Sequence, residues 1–106
     1  MRTVILMCGT GASSGFMASK TRKSIKALGV DIEVFARSDS EVEDVLDTAN
    51  MILIGPHLQF IENDIKDSVK RANKEIKVGV IPQKIYGNLD GEALVKFILE
   101  NFEEEK

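Results

Sequence analysis

Four short apolar runs recur along the chain: Val4 to Met7, Ile32 to Phe35, Met51 to Ile54 and Val78 to Ile81. Each has the length of a strand and is too short for a buried helix. Between them the apolar residues change to a helical spacing. Strands that alternate with helical segments make βα units, and such units build a parallel sheet with helices on both faces. Three of the runs are apolar at nearly every position, as strands buried on two faces must be. The second, Asp31-Ile32-Glu33-Val34-Phe35-Ala36, alternates apolar and polar residues and is placed at a sheet edge.

The spacing of Met17, Thr21, Ile25 and Leu28 puts them on one face of a first helix, with Lys20, Arg22, Lys23 and Lys26 elsewhere on it and Gly29 as its C-terminal stop. Ser40 and Glu43 have the spacing of a capping box, opening a short helix with Val42, Val45, Leu46 and Ala49 inward. Ile61, Ile65, Val69 and Ala72 mark a third helix. Asp90, as N-cap, precedes a fourth with Leu94, Phe97, Ile98 and Phe102 inward, which frays into Glu103-Glu104-Glu105-Lys106. Right-handed crossovers turn this order into an α/β three-layer sandwich with a four-stranded parallel sheet in the order 2-1-3-4, a flavodoxin-like arrangement. The 106 residues suit a single domain, 1–106.

Composition narrows the function. The net charge of -3 disfavours nucleic acid as the main partner, because binding a phosphate backbone needs a basic face. One cysteine, Cys8, and one histidine, His57, offer neither an internal disulfide nor a zinc set, and no metal or other cofactor is expected. The start of the chain has too short an apolar stretch for a signal peptide, and no run reaches the ~20 residues of a membrane span. A cytoplasmic, monomeric protein is expected.

Cys8 stands at the C-terminal end of the first strand, beside the switch point where ligands of such sheets bind. Behind it runs Gly9-Thr10-Gly11-Ala12-Ser13-Ser14-Gly15, small residues that let a loop curl with its amides inward. The helix that starts near Ser13 to Gly15 adds the positive end of its dipole. This setting is expected to lower the Cys8 pKa below the ordinary thiol range and to cradle a phosphoryl group on sulfur, with Thr10, Ser13 and Ser14 as further donors. The plainer reading is a small buried cysteine followed by an ordinary turn.

Neither familiar phosphate motif fits. A Walker A loop needs Gly-Lys before Ser or Thr, and Lys20 comes too late. Low-molecular-weight tyrosine phosphatases, which share the expected fold, place Arg where Ser14 stands and Ser or Thr where Gly15 stands. Without that Arg the transition-state oxygens lose their bidentate clamp, which favours a phosphoryl carrier over hydrolysis. A cysteine phosphatase or arsenate-reductase-like enzyme stays open as an alternative, as does a flavodoxin-like binding module. A flavodoxin would bring aromatic residues to stack its flavin, and here only Tyr86 and five Phe are available. A receiver domain would need acidic residues at strand ends, and the third strand ends in Gly55.

The strand ending in Cys8, the small-residue loop, Lys20, Met51-Ile52-Leu53-Ile54-Gly55-Pro56, Val80-Ile81, Tyr86-Gly87 and Asp90-Gly91 resemble, in that order, a known family. It is the cytoplasmic B component of the bacterial phosphoenolpyruvate-dependent sugar phosphotransferase system, of the lactose/cellobiose (chitobiose) type. The resemblance implies that Cys8 is the phosphorylated residue and that Gly9, Thr10, Gly11, Ala12, Ser13, Ser14 and Gly15 form the phosphate loop. It implies a phosphohistidine on an A component as donor and a sugar in a membrane C component as acceptor. Ala12 departs from the family's usual Met, Gly15 from its Ser and His57 from its Gln; the first two alter the shape and lining of the loop and so bear on donor or sugar preference. His57 is read as a polar loop residue near a partner surface, against the alternative of a proton donor or phosphoryl relay. The face with Lys20, Arg22, Lys23 and Lys26 is read as ordinary helix solvation, against steering of an acidic partner.

Overall fold

A computed structural model describes residues 2–7, 13–38 and 41–103, with the side chains of Ser13, Ser14 and Glu103 excepted. Strand β1 (Arg2–Met7) leads to helix α1 (Ser13–Leu28), β2 (Ile32–Arg37), α2 (Val42–Val45) and β3 (Met51–Ile54). A 3-10 segment (Pro56–Ile61) then passes into α3 (Glu62–Arg71), followed by β4 (Lys77–Val80), α4 (Gln83–Gly87) and α5 (Gly91–Glu103). The sheet is parallel in the order β2-β1-β3-β4, as expected, and β2 does lie at an edge.

Side chains alternate across a strand, so an unbroken apolar run feeds two cores at once. Val4 and Leu6 of β1, with Met51 and Leu53 of β3, face α1 and α5 and pack with Met17, Ala18, Ile25, Leu94, Val95, Ile98 and Phe102. Ile5, Met7, Ile52 and Ile54 face the other way, against Val45, Leu46, Ala49, Ile61, Ile65 and Val69 around α2 and α3. Those four strand side chains are at most 2% exposed. Each large aliphatic side chain buried in this way stabilises the fold by about 1.5–3 kcal/mol relative to exposure.

Thr21 is polar and fully buried within the α1 stripe, and its hydroxyl donates to the carbonyl of Met17 at 2.7 Å. Leu28 departs from the expected stripe and is 49% exposed. The helix stops there because Gly29 takes a positive φ of 69°, and the N–H groups of Gly29 and Val30 both donate to the Ile25 carbonyl. This left-handed cap swings Val30 into the core edge that Leu28 was expected to fill.

Other boundaries differ in small ways. Strand β4 starts one residue earlier than the apolar run, yet Ile81 still donates its N–H to Ile54 O (2.8 Å) and is fully buried. Ser40 of the expected capping box lies outside the described residues. The bond of that type that is described sits two residues earlier, where Glu41 Oε1 accepts the Ser38 N–H at 2.9 Å. Tyr86-Gly87, expected as a turn, closes the five-residue α4, too short to show a helical period. Asp90 caps α5 as expected, its Oδ1 accepting the Ala93 N–H at 3.0 Å.

Helices α1 and α5 come close at Gly91, where an added Cβ would come within 2.5 Å of the Lys20 carbonyl oxygen and 2.8 Å of the Thr21 nitrogen. These are backbone atoms and cannot move aside as a side chain would. Gly91→Ala is therefore expected to destabilise the protein by about 1–3 kcal/mol through forced separation of α1 and α5, read as a lower urea midpoint. An unchanged midpoint would contradict this packing.

Candidate functional site

The strands end in register. Met7 pairs with Arg37 on one side and with Ile54 on the other, and Ile54 pairs with Val80. This row is the C-terminal edge of the sheet. β1 is its inner strand where the connection order reverses, with β2 and β3 to either side. A crevice at such a reversal is where open α/β sheets bind ligands.

Met7 is fully buried, and its carbonyl accepts the N–H of Gly55 at 3.0 Å. The next residue in the sequence is Cys8. Cys8, Gly9, Thr10, Gly11 and Ala12 lie outside the described residues. The chain resumes with Ser13, Ser14 and Gly15, which form the first turn of α1. The N–H groups of a first turn have no partner within the helix and carry the positive end of its dipole. In sequence, the expected loop is thus bracketed by a fixed strand end and by a helix start whose amides have no partner within the helix. Gly15 is exposed, and an added Cβ there would meet nothing within 4 Å. Its lack of a side chain answers no steric demand from the described residues.

Two further elements reach the same edge. Gly55 ends β3 with φ -60° and ψ 144°, and Pro56 opens the 3-10 segment with a preset φ. This carries His57 past the end of β3, with its side chain exposed. Tyr86, from α4 after β4, packs partly into the core below α1 and α5. The rings of His57 and Tyr86 meet, with centroids 5.5 Å apart and planes tilted by 51°. His57 and Tyr86-Gly87 are therefore brought together across the ends of β3 and β4.

The basic face of α1 is divided. Lys20 and Lys23 are exposed beside a polar hollow of about 450 Å³ that also takes in Asn88, Asp90 and Glu92. Arg22 instead turns to β2, where its Nε donates to the Val34 carbonyl at 2.8 Å. Sequence reasoning passed over two exposed aromatic rings, Phe16 (62%) in the first turn of α1 and Phe60 (74%) in the 3-10 segment. Their signal was available, since each is a large apolar residue off its helix's buried stripe. Among the described residues, no three His, Cys, Asp or Glu side chains are grouped to hold a metal, and no helix is long and apolar enough to cross a membrane.

Known proteins share this architecture. The lactose-specific IIB component domain of the phosphoenolpyruvate:carbohydrate phosphotransferase system (PTS) from Streptococcus pneumoniae superposes with a TM-score of 0.82, at 16% sequence identity, over 93% of this chain and 95% of that one. In sequence, the PTS system oligo-beta-mannoside-specific EIIB component of Bacillus subtilis is 26% identical over 91 residues, 86% of each protein. The PTS system lactose-specific EIICB component of Lacticaseibacillus casei is 21% identical over 98 residues, 92% of this chain but 17% of that longer protein. The family model for the PTS system, Lactose/Cellobiose specific IIB subunit, matches residues 3–97, and the chain belongs to that family.

Proposed function

We propose that this chain is a phosphocysteine relay in sugar uptake, with Cys8 as the residue that carries the phosphoryl group. The observation that carries the reading is the place of Cys8 in the sequence. It follows the last residue of β1, a strand end pinned by Gly55 at the reversal point of the sheet, within the segment that matches the IIB family. Gly9, Thr10, Gly11, Ala12, Ser13, Ser14 and Gly15 would form the cradle, with backbone amides as the main donors to the phosphoryl oxygens.

The Cys8 thiolate attacks phosphorus in a phosphohistidine of the A component. The N–P bond breaks as the S–P bond forms, and the imidazole leaves. The S–P bond then breaks when a hydroxyl of a β-disaccharide, of the cellobiose, chitobiose or lactose class, attacks phosphorus within the membrane C component. The hydroxyl proton is released to water, and Cys8 returns as thiolate. A cradle built from amides, without an arginine at position 14, binds the phosphoryl group but leaves it transferable. The single polypeptide of the lactose-specific EIICB relative supports direct transfer to a C component, since there B and C parts travel together. Such a relay works at the cytoplasmic face of the membrane and as a monomer.

The test is phosphorylation by a phosphorylated A component, followed by mass spectrometry. An adduct of one phosphoryl group is expected on the native protein and none on Cys8→Ser. Label elsewhere than Cys8, or label that survives in Cys8→Ser, overturns the assignment. His57→Gln is expected to leave the transfer rate largely intact, because the exposed ring meets Tyr86 and glutamine keeps a polar side chain there. A loss of several orders of magnitude in a stopped-flow transfer assay would place His57 in the chemistry.

A further inference from the structure

The open side of β2 is unusual in how its backbone is occupied. β2 pairs with β1 and with no other strand of the sheet. In a parallel strand, successive residues turn their N–H and C=O groups to opposite sides. The N–H of Arg2 donates to the Asp31 carbonyl (3.4 Å), and Arg2 is in register with Ile32. Asp31, Glu33, Phe35 and Arg37 thus direct their backbone groups to β1, while Ile32, Val34 and Ala36 direct theirs outward.

Both of the last two outward carbonyls are taken by arginine. Arg22 Nε, reaching from α1, donates to Val34 O at 2.8 Å, and Arg37 Nη1 donates to Ala36 O at 2.7 Å. Both guanidinium groups also lie against the ring of Phe35, with their carbons 5.8 Å and 5.5 Å from its centroid. Phe35 packs with the core around α2 and α3, whereas α1 covers the opposite face. The Arg22 side chain therefore crosses the rim of the sheet. A groove of about 520 Å³, lined by Ile25, Lys26, Val30 and Ile32 among others, runs along the same rim, left open by the described residues.

We propose that the outer edge of β2 is a self-pairing surface held closed by Arg22 and Arg37, and that the partner they exclude is β2 of a second copy of this chain. An edge strand offers alternating donors and acceptors to any strand that can lie alongside. Here the acceptors at Val34 and Ala36 are occupied, so an incoming strand finds donors without their matching acceptors. Two β2 edges meeting about a twofold axis would run antiparallel and present the same patch to itself. The four arginines of such a pair would fall within one six-residue ladder, where like charges oppose pairing. Removing both guanidinium groups leaves a six-residue, largely apolar edge with its full pairing pattern exposed.

The experiment is light scattering after size exclusion, over a wide range of protein concentration. The native chain is expected at the mass of one copy throughout. Arg22→Met with Arg37→Met keeps side-chain bulk on Phe35 but loses the donors and the charge, and its mass is expected to rise toward twofold with concentration. Adding Ala36→Pro removes an outward N–H at an edge position that tolerates proline, and should restore the single-copy mass. Arg37→Met alone changes only an exposed side chain and should show weaker association, which keeps the test readable if the double variant does not fold. A single-copy mass for both arginine variants overturns the proposal. So does association of the double variant that Ala36→Pro leaves unchanged, because pairing would then run through another surface.

Discussion

The position of β1 along its neighbours decides where everything else falls. An unbroken apolar run sets no register by itself, because sliding it by one residue exchanges one buried apolar side chain for another. The ends do the setting. At the start, the Thr3 N–H donates to Asn50 Oδ1 at 2.8 Å, and the Arg2 guanidinium lies 4.3 Å over the Phe102 ring. At the finish, the Met7 carbonyl is held by Gly55. From the residue after Thr3 up to Met7 itself, the side chains Val4, Ile5, Leu6 and Met7 are apolar and buried. The strand therefore stops at Met7, and the cysteine is the next residue in the sequence.

That boundary sorts residues by task. Up to Met7 the side chains are read by two cores. From Ser13 on, α1 brings to the edge where β1 ends the amides of its first turn, which have no partner within the helix. The β3 and β4 ends bring His57 and Tyr86 to the same rim, and Phe16 and Phe60 stand exposed on elements that start there. One edge of the sheet thus collects the first turn of α1 and exposed rings, while both ends of β1 carry contacts that fix its register.

Much of this was legible in the residues. The strand order follows from short apolar runs and right-handed crossovers, and β2 was recognisable as an edge from Glu33 alternating with Ile32 and Val34. The expected N-cap at Asp90 and C-terminal stop at Gly29 are present, because each depends on local backbone chemistry alone. What escaped were features that depend on tertiary placement. Leu28 has the right phase for the core, but the chain turns away at Gly29 and Val30 replaces it. Arg22 reads as a solvated helix residue until β2 is folded beside it. The five-residue α4 leaves no period to detect. The phosphate loop itself was legible as chemistry, from Cys8 and the small residues after it, and its assignment to function stands as proposed.

The last helix has a consequence for how the first strand is kept in place. The face of β1 formed by Val4 and Leu6 is closed by Leu94, Val95, Ile98 and Phe102. These contacts join segments far apart in sequence, so their burial has to outweigh the entropy of closing a long loop. The cover of the first strand is therefore a property of the whole domain, and no local segment supplies it.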